Sequence, residues 1–170
     1  MKTPLLLLAC ATLCCTALLP GCAGYQLGTT LPAHLRTIAV TGFINETGEP
    51  DLEAAVTRAT LQEFQRDGTL VVADRDTADI VLEGKIVSCD FAAVRYERGN
   101  RLASEEQRMT IACEILATER ATGKTLHKGS VEGDTTFLSG GDLTTAKRTA
   151  YRAAAEDVAH EIVNAVISAW

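Results

Sequence analysis

Apolar and polar positions along this chain change period several times, and each change marks an element. Thr37 to Phe43 is a short run rich in β-branched and apolar residues. Pro32 precedes it and the turn-rich Asn45-Glu46-Thr47-Gly48-Glu49-Pro50 follows, which predicts a first strand. Over Asp51 to Asp67 the spacing becomes helical: Leu52, Val56, Ala59 and Phe64 fall near one stripe, and acids occupy the first turn. Gly68 stands where a left-handed C-cap belongs, so the helix has about four turns. Leu70 to Ala73 reads as another short strand.

Alternation then takes over. After Ala78-Asp79, the residues Ile80, Leu82, Gly84 and Ile86 alternate with Val81, Glu83, Lys85 and Val87. Arg95 to Glu105 is polar and interrupts the pattern, with Gly99-Asn100 as the expected turn. Met109, Ile111, Cys113, Ile115 and Ala117 next alternate with more polar neighbours, the signature of a strand buried on one side. Ala121-Thr122-Gly123 fits a three-residue hairpin loop. Pairing Arg120 with Lys124 puts Gly129, Val131 and Thr135 on the face of Ile115, Cys113 and Met109.

Gly140-Gly141 breaks the chain, and Thr144 or Thr145 is placed to cap a closing helix running to Trp170. Tyr151, Ala154, Val158, Ile162, Val166 and Ala169 give that helix one apolar stripe. The order strand, helix, strands, helix predicts an α+β two-layer sandwich: about four to five mostly antiparallel strands with two helices on one face.

The first 21 residues are not fold. Lys2, an apolar run from Leu5 to Leu19 and turn-forming residues before Cys22 have the three parts of an export signal. The run is 15 residues long, short of the roughly 20 that span a bilayer as a helix. Leu19-Pro20-Gly21-Cys22 has the lipoprotein pattern, in which the Cys22 thiol takes a diacylglycerol and, after cleavage, its amine takes a further acyl chain. Several chains anchor stably where one binds only marginally. The competing reading is plain secretion with Cys22 as a free thiol. The expected organisation is a removed signal peptide over residues 1–21, a lipidated tether over 22–32 and a single domain over 33–170. Ala23, rather than Asp, after the cysteine resembles the enteric pattern for outer-membrane sorting.

Losing Lys2 with the leader leaves 15 basic against 22 acidic residues, a formal charge of −7 where the whole chain carries −6. A nucleic-acid partner is disfavoured by that balance. Cys10, Cys14 and Cys15 leave with the leader, so only Cys89 and Cys113 remain for a bridge. A strand pair turning about Gly99-Asn100 sets Cys113 opposite Ile86 and Cys89 opposite Thr110, on the other face, which argues against a disulfide.

Candidate chemistry is sparse. His34, His127 and His160 are scattered, without a metal-ligand spacing, and no nucleophile elbow, phosphate loop or dinucleotide fingerprint is present. Asp74-Arg75-Asp76 with Asp79 is acidic but lacks the spacing of an EF-hand loop and reads as a polar turn. Asn45-Glu46-Thr47 matches a glycosylation sequon only formally. These features predict no enzyme, no metal and no cofactor other than the covalent diacylglycerol and N-acyl groups on Cys22. Arg95, Arg98, Arg101 and Arg108, with Tyr96, mark the join between two strands. Arginine pairs bidentately with phosphate, so these four are the candidate contacts for an anionic lipid head group, though Glu97, Glu105 and Glu106 beside them offset the charge.

The lipid site, the strand and helix order, and a set of short motifs together resemble the lipopolysaccharide-assembly lipoproteins of the LptE family. The likeness rests on Cys22, Gly24-Tyr25 and Leu27, with Ala23 inserted, then on Ile38 to Phe43, Asn45-x-Thr47, Glu49-Pro50-x-Leu52-Glu53, Phe64-x-x-Asp67-Gly68 and Ala78-Asp79-Ile80-Val81-Leu82-x-Gly84. The resemblance implies a non-enzymatic lipoprotein of the outer membrane, facing the periplasm. Such a protein sits within a large β-barrel, assists its assembly and helps it deliver lipopolysaccharide to the cell surface, so the expected partners are that barrel, lipopolysaccharide and the membrane. The family's basic lipid contacts do not align by motif, and none is carried over. The alternative is another outer-membrane scaffold lipoprotein, a cell-wall synthase activator or a secretion-pore subunit. The tether of about ten residues, some 33 Å extended, suits a partner in the same membrane.

Overall fold

The computed structural model describes residues 31–97, 100–139 and 142–169, with backbone alone at 95–97 and 100–105. Its elements in chain order are β1 (Thr37–Val40), β2 (Ile44–Asn45), α1 (Leu52–Asp67), β3 (Val71–Val72), β4 (Ile80–Glu97), β5 (Asn100–Glu119), β6 (Thr125–Leu138) and α2 (Leu143–Ile167). The strands form one mixed sheet of order β3-β1-β4-β5-β6, with β2 pairing β4 farther along the same edge. The expected α+β architecture is present, with the sheet open rather than closed into a barrel.

Three short pairings, β1 with β3, β1 with β4 and β2 with β4, are parallel, whereas β4-β5 and β5-β6 are long antiparallel ladders. The parallel pairs follow from connectivity, because a strand reached through an intervening helix returns in the same direction. The strand expected over Thr37 to Phe43 ends at Val40, and a second short strand, β2, follows at Ile44–Asn45, where the turn was expected to begin. Between them Phe43 turns inward until it is 4 % exposed, with its ring packed over Gly84.

Gly123, at φ 71°, closes the β5-β6 hairpin, and the ladder beyond it has the anticipated register: Ile115 faces Gly129, Cys113 faces Val131 and Met109 faces Thr135. Sequence and structure part at Val87. Ile80 through Ile86 pair with β5 as expected, but a bulge between Ile86 and Ser88 moves the register by one, so Cys89 faces Ile111 rather than Thr110. Cys89 and Phe91 therefore pack against the core. Val87, on the outward half of the alternation, is the residue the bulge leaves without a partner, and it is 37 % exposed. Cys89 and Cys113 are both free thiols. The geometric ground for expecting no bridge, opposite faces, does not hold, since the bulge reverses the side-chain alternation of everything beyond it.

The polar segment Arg95 to Glu105 also differs from expectation, since β4 runs on to Glu97 and β5 starts at Asn100. At about 3.3 Å per residue the 18-residue β4 is roughly 60 Å long. The 25-residue α2 reaches only about 38 Å. Where the strands outrun the helix layer they have no apolar face to cover, so the alternation disappears while the backbone ladder continues.

Leu52, Val56, Phe64, Val158 and Ile162 are buried from the two helices, and Ile38, Leu82, Ile86, Ile111 and Cys113 from the sheet, forming one core. Helix α1 ends at Gly68 as expected, at φ 74°. The N-cap of α2 is Asp142 rather than a threonine: its carboxylate accepts from Thr144 N and Thr145 Oγ1. The helix stops at Ile167, leaving Ala169 exposed and off the stripe, and Trp170 lies outside the described residues. Gly133 faces the backbone of α2 closely, since a Cβ there would lie 2.2 Å from Val158 N.

Candidate functional site

Both helices lie on one face of the sheet, so the other face is open. The residues there follow from the outward half of the alternation: Glu83 and Lys85 on β4, Glu114 and Leu116 on β5, Lys128 and Ser130 on β6. Together with Ile44, which is 57 % exposed, they line a groove of about 860 Å³. Charge is balanced in pairs across it. Arg75 reaches Glu83 at 3.2 Å and Lys85 reaches Glu46 at 3.0 Å. The bond and charge of Glu46 hold the Lys85 ammonium above its ordinary range. This face mixes both signs of charge with isolated apolar residues, which suits contact with another polar protein surface better than with lipid tails.

The candidate arginines separate in the structure. Arg108 stands on the open face of β5, opposite Ala92 and Thr136, and its Nε lies 3.3 Å from Asp134 Oδ2 on β6. It is thus engaged within the sheet. Arg95 pairs by backbone with Glu106, in the last row that β6 shares, and Arg101 lies beyond it on the arm formed by β4 and β5 alone. Their side chains, and Arg98 altogether, lie outside the described residues, as do Cys22, Gly24, Tyr25 and Leu27.

The polar residues of the short motifs around Asn45, Asp67 and Asp79 act mostly as clamps. Asn45 Nδ2 donates to Glu49 O at 2.8 Å and to Glu53 Oε2 at 2.9 Å, while its Oδ1 accepts from Thr47 N and Oγ1. These bonds fold the loop leading into α1, and the Tyr151 hydroxyl donates to Glu49 to tie α2 to it. Backbone N–H donation within the turn, then the bond from Asn45, lower the Glu53 carboxyl. Asp67 Oδ1 accepts from Thr69 N beyond the Gly68 cap.

Asp79 is the strongest of these clamps. One oxygen accepts from Arg36 N at 3.0 Å, Thr37 N at 3.0 Å and Thr37 Oγ1 at 2.7 Å, fixing the start of β1 beside β4. Arg120 Nε closes the same corner by donating to Ala78 O at 2.6 Å. The Arg36 backbone bond, then the Thr37 hydroxyl, hold the Asp79 carboxyl below its usual range. The acidic turn is thus a structural corner, with Asp79 occupied by protein donors.

His34 pairs with Glu119 at 3.2 Å and His160 with Glu63 at 3.1 Å, while His127 lies apart on β6. Among the described residues no cluster of His, Cys, Asp and Glu could hold a metal, and no helix is long and apolar enough to cross a membrane. Burial pushes the Cys113 thiol up to about 12 and the half-buried Cys89 thiol to about 11, so neither is a nucleophile near neutrality.

One arrangement escaped the sequence reading. A groove of about 640 Å³ between α1 and α2 is lined by Arg58, Arg148 and Arg152, with Asp51, Gln62 and Glu156. Arg148 and Arg152 are four apart on the flank of the α2 stripe, a visible spacing, but Arg58 lies on another helix and only helix packing brings it to them.

Several solved structures share this fold. A protein of Xanthomonas campestris superposes with a TM-score of 0.55 at 13% identity, over 84% of this chain and 91% of that one. A Chlamydia trachomatis protein has a TM-score of 0.55 at 9% identity, over 76% and 94%. A minor lipoprotein of Acinetobacter baumannii has a TM-score of 0.50 at 11%, over 81% and 94%. Identities this low establish the fold and leave function to other signals. Among curated protein sequences nothing matches the chain. The lipopolysaccharide-assembly family model, LptE, does match, from residue 35 to residue 166. That span takes in every element from β1 nearly to the end of α2, together with the Asn45, Glu49, Asp67 and Asp79 clamps. The chain therefore belongs to the LptE family of lipopolysaccharide-assembly proteins.

Proposed function

We propose that this protein is anchored to the inner leaflet of the outer membrane through acyl chains on Cys22, and that its domain seats within a lipopolysaccharide-export β-barrel. There it assists assembly of the barrel and delivery of lipopolysaccharide, without enzymatic activity. Family membership over residues 35–166 is the observation that carries this reading. Two physical features support it. The lumen of a large barrel is polar, and the open sheet face presents paired charges of both signs rather than an apolar surface. A tether of about ten residues also keeps the domain within some 33 Å of the membrane.

Arg95 stands where the two-stranded arm of β4 and β5 begins and Arg101 lies on it, and with Arg98 these are the proposed lipopolysaccharide contacts. Arg108, already paired with Asp134, has a weaker claim. Charge reversal at 95, 98 and 101 tests the assignment: lipopolysaccharide binding should disappear while the circular dichroism spectrum is retained.

The decisive experiment is affinity purification of the tagged, lipidated protein from detergent-solubilised outer membranes, with partners identified by mass spectrometry. A one-to-one barrel partner of the lipopolysaccharide-export type is expected. Recovery of a cell-wall synthase, a ring of this chain alone, or no stoichiometric partner would overturn the proposal.

A further inference from the structure

Eight arginine side chains are described, and five have partners. Arg36 donates to Ala33 O and Arg120 to Ala78 O, while Arg66, Arg75 and Arg108 form ion pairs with Glu63, Glu83 and Asp134. The other three, Arg58, Arg148 and Arg152, have neither a hydrogen bond nor an ion pair among the described residues, and all three line the groove between α1 and α2. In a chain with 22 acids against 16 bases, an arginine without a carboxylate partner is not for want of carboxylates. Asp51 and Glu156 share the same groove, and Glu156 lies at the i+4 position from Arg152, where a helix brings charges together. Arg148 lowers the Asp142 carboxyl only through space, as a minor contribution beside the threonine bonds.

We infer that the inter-helix groove is a binding site for a phosphoryl group, with Arg58, Arg148 and Arg152 as its ligands. The groove holds about 640 Å³, within the range of small-molecule sites. Guanidinium groups recognise phosphate oxygens through paired, charge-assisted bonds, and several guanidiniums match the three terminal oxygens of a phosphoryl group. The nearby Gln62 amide adds donors suited to a sugar or ester oxygen. With three arginines against Asp51 and Glu156, the lining carries a net charge of only +1. Selectivity therefore comes from directed donors rather than from a long-range field. The inference concerns the chemistry of this groove and does not depend on the domain being seated in a barrel.

The test is titration of the detergent-solubilised full chain, followed by NMR of the arginine side-chain N–H signals. The probes are inorganic pyrophosphate and, separately, short-chain phosphatidic acid, with short-chain phosphatidylcholine as the neutral control. Saturable shifts at Arg58, Arg148 and Arg152 are expected. Affinity should fall by about tenfold in each of R58Q, R148Q and R152Q, as loss of one bidentate contact implies. R66Q and R75Q, which remove the same charge elsewhere, should leave affinity unchanged, and all five variants should keep the wild-type melting temperature. Saturation by pyrophosphate identifies a free phosphate as sufficient, whereas saturation by phosphatidic acid alone identifies a lipid head group. Absence of saturable shifts with either probe, or equal weakening by R66Q and R75Q, would overturn the site.

Discussion

Gly133 lets the sheet approach the backbone of helix α2 closely, and Gly133→Ala tests that approach. The new Cβ would lie 2.2 Å from Val158 N, 2.5 Å from Val158 Cα and 2.8 Å from Val158 Cβ. Ordinary contact begins near 3.4 Å, so α2 must withdraw by about 1.2 Å at its midpoint. The contact is with helix backbone, and no rotamer change relieves it. Withdrawal would also stretch the bond that Asp134 N donates to Asp157 Oδ2, now 2.8 Å, to about 4 Å. Overpacking of this kind costs about 1–3 kcal/mol, and a lost bond to a charged acceptor adds about 1.5 kcal/mol. The sum, about 2.5–4.5 kcal/mol, is a large share of the roughly 5–15 kcal/mol that holds a domain together. Urea unfolding followed by circular dichroism would read it as a lower midpoint at unchanged slope, and a thermal melt as a drop of about 10 °C. Gly129→Ala is the internal control. It lies on the same strand and face, but its Cβ would meet only the movable His127 ring, at 3.0 Å. Because alanine is favoured over glycine in a strand by up to about 1 kcal/mol, that variant should be near neutral or stabilised. Equal melting temperatures for the two variants would refute the close-approach argument.

Asp79→Ala removes three donors' acceptor and should destabilise the domain by about 2–4 kcal/mol at pH 7. Because the folded-state carboxyl is held below its unfolded value, the stability it supplies is present above about pH 4 and lost as pH falls through the folded value. Denaturation midpoints of the two proteins should therefore converge on acidification, and a gap that persists undiminished at low pH would sink the assignment. Tyr151→Phe removes the bond to Glu49 and should cost about 1 kcal/mol, read as a small shift in the urea midpoint. With thiols raised to about 11 and 12, Cys89 and Cys113 should resist iodoacetamide at pH 8 in the native protein and react once unfolded in urea. Peptide mass spectrometry reads both sites, and rapid native labelling of Cys113 would contradict its burial.

Periodicity alone carried most of this fold. Local backbone chemistry sets helix α1 and its Gly68 cap, the Gly123 turn, the β5-β6 register and the apolar stripe of α2, and local chemistry is what a sequence displays. The motif residues Asn45, Glu49 and Asp79 were legible for a related reason: each clamps a turn through bonds to nearby backbone or to the neighbouring strand.

What tertiary structure alone decided lies where two segments distant in the chain meet. The bulge at Val87 brings Cys89 and Phe91 under α2, where Phe91 packs edge-on against Phe137 at 6.3 Å and lies beneath Lys147, and one unpaired residue in a strand leaves no mark on composition. The polar stretches Arg95 to Glu97 and Asn100 to Glu105 are strand because a backbone ladder needs a partner, not an apolar face. The three unpartnered arginines line one groove because two helices at Leu52–Asp67 and Leu143–Ile167, far apart in sequence, pack side by side on one sheet. Alternation and caps record what each segment buries; they do not record which segment comes to bury it.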